Sequence, residues 1–210
     1  MASSVTMSRP KQGGERVKRL SVIVALILLV ALATMAAPVT ADEPLTCEGT
    51  PATIVASGAG PVFGTDGPDV IVGTTGADTI YGLGGDDLIC GAPDGATTDG
   101  ADTIYGGEGN DFILGMLGND QIFGQNGDDG LAGGDFSGEF GNPGSKTPDG
   151  NDTLSGGNGN DFAAGMLGND MITGGNGDDE LFGGPGNDLV NGENGNDFLE
   201  IGRASCRERV

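Results

Sequence analysis

The chain has 210 residues, among them 43 Gly and 10 Pro, with 31 acidic against 9 basic side chains and no His or Trp. The missing His excludes a Ser-His-Asp triad, a Cys-His dyad and His-ligated zinc, and a net charge of −22 argues against a nucleic-acid partner, whose phosphates demand Lys and Arg. Gly and Pro together reach the edge of low complexity, so composition leaves two readings: a disordered acidic chain, or an ordered repeat that uses Gly for geometry.

The first 41 residues have the layout of a secretory signal peptide. Arg9, Lys11, Arg16, Lys18 and Arg19 precede the apolar run Leu20 to Ala37, and Val39-Thr40-Ala41 offers a small-x-Ala cleavage site. The competing reading is a retained anchor, because 18 apolar residues almost span a bilayer; the small residues at its end favour cleavage. Either reading delivers the remainder outside the cytoplasm, and cleavage makes it a secreted, extracellular protein without membrane contact.

At the other end, residues 201–210 (IGRASCRERV) read as the translation of a sequencing adapter, with a genuine basic tail as the alternative. With both ends set aside, residues 42–200 keep 29 of the 31 acids and one of the 9 bases, Lys146, a net charge of −28 over 159 residues. Like charge at that density opposes compaction unless cations bind. Cys206 leaves with the tail. The remaining Cys47 and Cys90 are an even pair in an exported chain, most simply a disulfide tying the segment before the repeats to the third of them; two buried thiols are the alternative.

From Gly64 the sequence proceeds in nines. GTDGPDVIV (64–72), GTTGADTIY (73–81) and GLGGDDLIC (82–90) open a series of 13 units that ends with GENGNDFLE (192–200). The first and fourth places are always Gly, and the eighth is Ile, Leu or Val except at Ala163. The sixth is always Asp: Asp69, Asp78, Asp87, Asp102, Asp111, Asp120, Asp129, Asp152, Asp161, Asp170, Asp179, Asp188 and Asp197. A phase kept across two insertions is not the behaviour of disordered low-complexity sequence.

This column set resembles the GGxGxDxUx nonapeptide of the repeats-in-toxin (haemolysin-type) calcium-binding family, U being a large apolar residue, and the likeness covers residues 64–200. The residues agree with it physically. Gly at places one and four permits positive φ and close backbone approach, so six residues turn tightly. The last three, such as Val70-Ile71-Val72, make a short strand with its middle side chain inward. Collagen is excluded, since place seven is Gly at Gly130 alone and not in every unit, as a three-residue period requires. So is the EF-hand, since no twelve-residue loop ends in the required Glu.

The resemblance implies an all-β fold, a right-handed parallel β-roll or solenoid with two units per coil. It also implies Ca²⁺ between stacked turns, held by the place-six Asp carboxylates and by turn carbonyls near Gly67, Gly76, Gly85, Gly109, Gly118, Gly127, Gly159, Gly168, Gly177, Gly186 and Gly195. Ca²⁺ takes 6–8 hard oxygen ligands, and one site per stacked pair allows up to about 11 ions, fewer where turns are terminal or interrupted. Small apolar side chains return far less than ordering the chain costs, so calcium is expected to drive folding, with affinities of about 10⁻⁴–10⁻³ M per site.

Two insertions, Pro93–Asp99 and Asp135–Asp149, interrupt the fourth and eighth units. Both are even-numbered, so both are expected to leave the roll from one edge, two coils apart. Residues 106–132 and 156–182 share GNDF, GMLGND and NGDD at an offset of 50, a block duplication. The second insertion carries Phe136, Phe140 and Lys146. The edge loops 93–99 and 135–149 are candidates for binding an unknown protein or glycan, against the plainer reading of tolerated surface insertions. Asn151-Asp152-Thr153 fits a glycosylation sequon, but the repeat already requires each residue. Pairs such as Asp86-Asp87 recur without a unique pocket, which makes them ligand columns rather than acid–base catalysts.

The sequence thus divides into a signal peptide (1–41), an N-terminal cap (42–63) over the first coil, a calcium-binding roll (64–200) and the adapter-like end (201–210). The expected function is that of a secreted calcium-binding repeat protein, not an enzyme, in a structural or adhesive role. The alternative is the calcium-dependent repeat region of a longer secreted enzyme. A third class, a repeat surface that binds a polymer or ice, needs a row of identical outward residues, and places seven and nine are too mixed. Many members of the family are exported by a C-terminal signal; the N-terminal leader departs from that and puts a toxin role in doubt.

Overall fold

The computed structural model describes residues 44–58, 60–135 and 150–202. The leader, residues 203–210 and the second insertion's Phe136, Phe140 and Lys146 lie outside these. Strands β1 (Thr46–Cys47) and β2 (Thr50–Pro51) pair antiparallel. After them the chain alternates between two parallel sheets, and no helix occurs among the described residues.

The eight-stranded sheet takes β3 (Ile54–Val55), β5 (Val70–Val72), β7 (Leu88–Cys90), β9 (Phe112–Leu114), β11 (Gly130–Ala132), β13 (Phe162–Ala164), β15 (Glu180–Phe182) and β17 (Phe198–Glu200). The seven-stranded sheet takes β4 (Val62–Phe63), β6 (Thr79–Gly84), β8 (Thr103–Glu108), β10 (Gln121–Asn126), β12 (Thr153–Asn158), β14 (Met171–Asn176) and β16 (Leu189–Asn194). Consecutive strands therefore lie in opposite sheets, and every second strand pairs in register with the one before. This is the parallel β-roll.

Register puts equivalent places on top of one another. Ile71 pairs with Ile89, Ile89 with Ile113 and Ile113 with Leu131 in one sheet; Ile80, Ile104, Ile122 and Leu154 do so in the other. These side chains meet between the sheets, each 0 % exposed, as a single apolar column. Ala163 is equally buried. The column opens at the end, where Leu199 is 41 % exposed.

Two features differ from the pattern expected of three-residue strands with one inward side chain. First, every strand of the seven-stranded sheet after β4 runs for six residues. Their ladder skips the place-one glycine and resumes beyond it, Tyr81 pairing with Tyr105 and then Leu83 with Gly107. A positive φ at place two, 79° at Leu83 and 124° at Gly107, turns the backbone so that pairing restarts. Second, place-nine side chains of the eight-stranded sheet are also buried. Val72, Cys90, Leu114 and Ala132 form a separate cluster with Cys47, Ala92 and Met116, because the cap and the turns fold over that outer face.

Cys47 and Cys90 form the disulfide, with Cα atoms 5.6 Å apart and 43 residues between them in sequence. Closing a loop of that length stabilises the folded state by roughly 4 kcal/mol. The first insertion braces the same place. The Asp94 carboxylate accepts hydrogen bonds from the Thr46 hydroxyl at 2.7 Å and from the Glu48 and Gly49 amides at 2.9 and 2.8 Å.

Candidate metal centre

The place-six aspartates separate onto two edges of the roll. Asp69, Asp87, Asp111, Asp129, Asp161, Asp179 and Asp197 close the turns that lead into the eight-stranded sheet; Asp78, Asp102, Asp120, Asp152, Asp170 and Asp188 close those that lead into the seven-stranded sheet. On each edge the side chain reaches back to the preceding coil. Asp87 Oδ1 accepts the Asp69 amide at 2.9 Å, Asp111 Oδ1 the Asp87 amide at 2.9 Å, and Asp102 Oδ1 the Asp78 amide at 2.8 Å. The pattern continues to Asp188 and Asp197. One carboxylate oxygen per turn is thus spent on stacking coils.

The other oxygen is the informative one. In Asp87, Asp102, Asp111, Asp129, Asp161, Asp179 and Asp188, Oδ2 is buried and has no hydrogen-bond partner. A buried carboxylate oxygen left this way costs several kcal/mol unless a cation or a proton meets it. It points into its own turn, where a Cβ built on the place-one glycine would overlap it: Asp102 Oδ2 against Gly91, Asp111 Oδ2 against Gly106, Asp129 Oδ2 against Gly124. The same Cβ would also meet the carbonyl oxygen of the next coil's glycine, that of Gly115 in the case of Gly91. Place one is therefore Gly for close approach. It does not show the expected positive φ, which falls at places two and four instead, for instance 84° at Gln125 and 134° at Gly127.

The place-four glycines stack directly on one another, so that a Cβ on Gly127 would overlap the Gly109 carbonyl and one on Gly118 the Gly100 carbonyl. Carbonyl oxygens and carboxylate oxygens therefore share each turn. Among the described residues no three acidic or thiol side chains converge as a metal cluster. Carbonyls must then complete any coordination shell, a donor set of oxygens alone that suits Ca²⁺ and no soft metal.

Electrostatics point the same way. Burial raises the Asp102 carboxyl to about 8, with the amide of Asp78 opposing and the charges of Asp99, Asp120 and Asp78 adding to the rise. Burial also raises Asp129 and Asp161 to about 7 and Asp87 to about 6, again against an opposing amide donor and with neighbouring carboxylates adding. Asp111, Asp179 and Asp188 are raised for the same leading reason. Groups held so far above the ordinary carboxylate range make the metal-free turns proton-hungry, and a divalent cation relieves the same repulsion.

The first two turns depart from this. Asp69 Oδ2 accepts the Thr65 amide at 2.7 Å and its hydroxyl at 2.9 Å; Asp78 Oδ2 accepts the Thr74 amide at 2.6 Å and its hydroxyl at 2.7 Å. Reading the place-six column as thirteen equal ligands missed that distinction, although Thr at place two occurs in GTDG and GTTG alone. Asp99 was also missed. It ends the first insertion, its Oδ2 is buried without a partner, and burial raises it to about 6. The signal was present, since both insertions finish in Asp-Gly.

Strands β8 and β12, which follow the two insertions, lie in the same sheet with only β10 between them, about 10 Å apart at the usual strand spacing; residues 136–149 of the second insertion lie outside the described residues.

The family model of the RTX calcium-binding nonapeptide repeat matches the chain in four copies, at residues 63–94, 97–136, 149–172 and 165–199. The gaps at 95–96 and 137–148 fall inside the two insertions. No curated protein matches the chain.

Proposed function

We propose, starting from the fact that this chain belongs to the RTX calcium-binding nonapeptide repeat family, that it is an exported protein whose roll is ordered by calcium and serves a structural or adhesive role. That it is a calcium-binding repeat protein follows from the family. The buried, partnerless Oδ2 atoms of Asp87, Asp102, Asp111, Asp129, Asp161, Asp179 and Asp188 carry the assignment of the ligands and of ordering by calcium. They are oxygen donors aimed into turns whose other polar groups are backbone carbonyls.

On this reading Asp Oδ2 and the place-four carbonyls hold the ion, while Asp Oδ1 holds the preceding coil. Bound Ca²⁺ supplies positive charge that offsets carboxylate repulsion. Each turn then needs its neighbour for a complete ligand set, so ordering is steep in calcium. The Cys47–Cys90 disulfide supports export, because such bonds persist in oxidising compartments. The leader-like N-terminus supports it too. A role outside the cell also suits ligands of millimolar strength, which extracellular calcium fills.

Equilibrium dialysis against ⁴⁵Ca²⁺ tests the assignment. The chain should bind several ions, and Asp111→Asn with Asp129→Asn should remove bound calcium and raise the midpoint of what remains. Unchanged stoichiometry in that variant would remove these aspartates from the ligand set.

A further inference from the structure

We infer that the first two turns are closed by threonine in place of calcium, and that the coil they form is a calcium-independent start on which the remaining coils are laid down. The inference rests on the calcium reading of the later turns. It goes beyond it by assigning Thr65 and Thr74 the work an ion does elsewhere.

The contrast is between identical carboxylates in the same fold. Beyond the second turn, Oδ2 of Asp87, Asp102, Asp111 and Asp129 is buried with no partner. In the first two turns the same atom takes two short hydrogen bonds each, from the amide and the hydroxyl of Thr65 or Thr74. The Gly67 and Gly76 amides in turn donate to these hydroxyls at 3.2 and 3.1 Å, closing the turn around the side chain. Asp69 has its second oxygen within hydrogen-bond distance of a donor as well, the Thr53 hydroxyl at 3.3 Å. An Oδ2 satisfied by donors of its own turn does not need an ion to meet it. Thr at place two also leaves φ outside the left-handed region, unlike Leu83, Met116 or Gln125 at the same place later.

Braces of kinds not repeated along the later coils also gather at this end: a cap, a disulfide and a loop tie. The cap strands β3 and β4 pair with β5 and β6. The disulfide fixes Cys47 against β7, and Asp94 ties the first insertion back to the Thr46–Gly49 turn. Phe63, Tyr81 and Tyr105 stack with centroids 5.1 and 4.9 Å apart across the first coils. Small domains with thin cores rely on such staples.

The hydrogen bonds also give growth a direction. A formed first coil presents the Asp69 and Asp78 amides, which are the donors that Asp87 Oδ1 and Asp102 Oδ1 accept. Each coil added then presents the next pair of amides. A start fixed without calcium spares the chain the nucleation that a uniform repeat array would otherwise need.

Amide exchange on the full chain, disulfide intact, tests this with two readouts. In chelator, amides of residues 70–84 should exchange at least about tenfold more slowly than those of 112–132, and calcium should then protect 112–132. Thr65→Ala with Thr74→Ala should abolish the slow exchange of 70–84 in chelator, while calcium still protects 112–132. Fast exchange of 70–84 in chelator would overturn the inference, as would slow exchange that the double variant leaves unchanged. Failure of the calcium reading registers elsewhere, as protection of 112–132 that does not respond to calcium.

Discussion

The two edges of the roll carry the same Gly and Asp columns and build different turns from them. On the edge leading into the eight-stranded sheet, residues at places two and three continue the parallel ladder, and amides such as those of Gly109 and Gly127 bond to the next coil at 2.9 and 2.8 Å. Asn126, Asn158, Asn176 and Asn194 add a side-chain ladder outside it, with amide-to-carbonyl distances of 2.7–3.0 Å. Place five alternates along this edge, Asp86, Asn110, Asp128, Asn160, Asp178, Asn196, each side chain accepting the amide of the next. Among the described residues the opposite edge has no strand pairing in its turns, and the first insertion leaves from it; at place five it carries Ala77, Ala101 and then Asn, where Asn119, Asn151 and Asn169 likewise accept the next coil's amide. An insertion breaks few bonds there. What distinguishes the edges is how much of the turn is tied down before any cation arrives.

The largest effect is expected at place one, where the two edges should behave alike. Gly124→Ala on the ladder edge and Gly115→Ala on the opposite one both drive a Cβ into the next coil's carbonyl and their own turn's aspartate. Each should cost about 3 kcal/mol or more in the denaturant midpoint of the calcium-loaded chain. Tolerance at one edge alone would mean the turns do not share this close approach.

Transplanting the first insertion comes next. PDGATTD placed after Glu108 interrupts the ladder and separates Glu108 from the Asn126 amide it accepts at 2.8 Å; placed after Leu117 it enters the edge that already accepts loops. The first should cost about 2–3 kcal/mol for the hydrogen bonds lost and the second less than about 1 kcal/mol, read from thermal unfolding in calcium. Equal costs would show that loop placement owes nothing to the ladder.

Acidity sharpens the electrostatic half of the contrast. Burial holds Asp102 on the loop-bearing edge at about 8, and Asp129 and Asp161 on the ladder edge at about 7. The ordinary value is 3.8. These folded values are raised, so in chelator their protonation favours the roll fully below pH of about 4, and that stability is lost as pH rises through 6 to 8. Circular dichroism in chelator should therefore show β structure appearing on acidification. With calcium the direction reverses, since protons compete with the ion for the same oxygens. A chelated chain equally disordered at pH 4 and pH 8 would contradict the burial of these groups.

The smallest effect concerns place five. Asp86→Asn, Asp128→Asn and Asp178→Asn together remove the extra carboxylates of the ladder edge. Surface charges of this kind are worth a fraction of a kcal/mol each, so the calcium midpoint should rise by about threefold and less so in high salt. An unchanged midpoint would leave alternation at place five as a packing device only.

Much of this was legible in the sequence. The place-eight column follows from the nine-residue period, the two-sheet roll from the family resemblance that the Gly and Asp columns carry, and the disulfide from an even pair of cysteines behind a leader-like segment. What was not legible depends on how neighbouring coils touch. A one-dimensional pattern shows Gly at place one but not that its lost Cβ would strike a carbonyl in the next coil. It shows Asp at place six in every unit but not which oxygen is occupied. Thr65 and Thr74 look like tolerated variation until their hydroxyls are found on Asp69 and Asp78, and Asp99 looks like loop until its burial is seen. The buried outer face at Val72, Cys90 and Leu114 required the cap and turns to be placed over it.

The central claim, that calcium orders the coils beyond the first, is tested most directly by far-UV circular dichroism of the chelated chain at neutral pH during a calcium titration. A small β signal is expected in chelator, with a steep, chelator-reversible gain in the region of millimolar calcium. Full β structure in chelator, or none at saturating calcium, would contradict it.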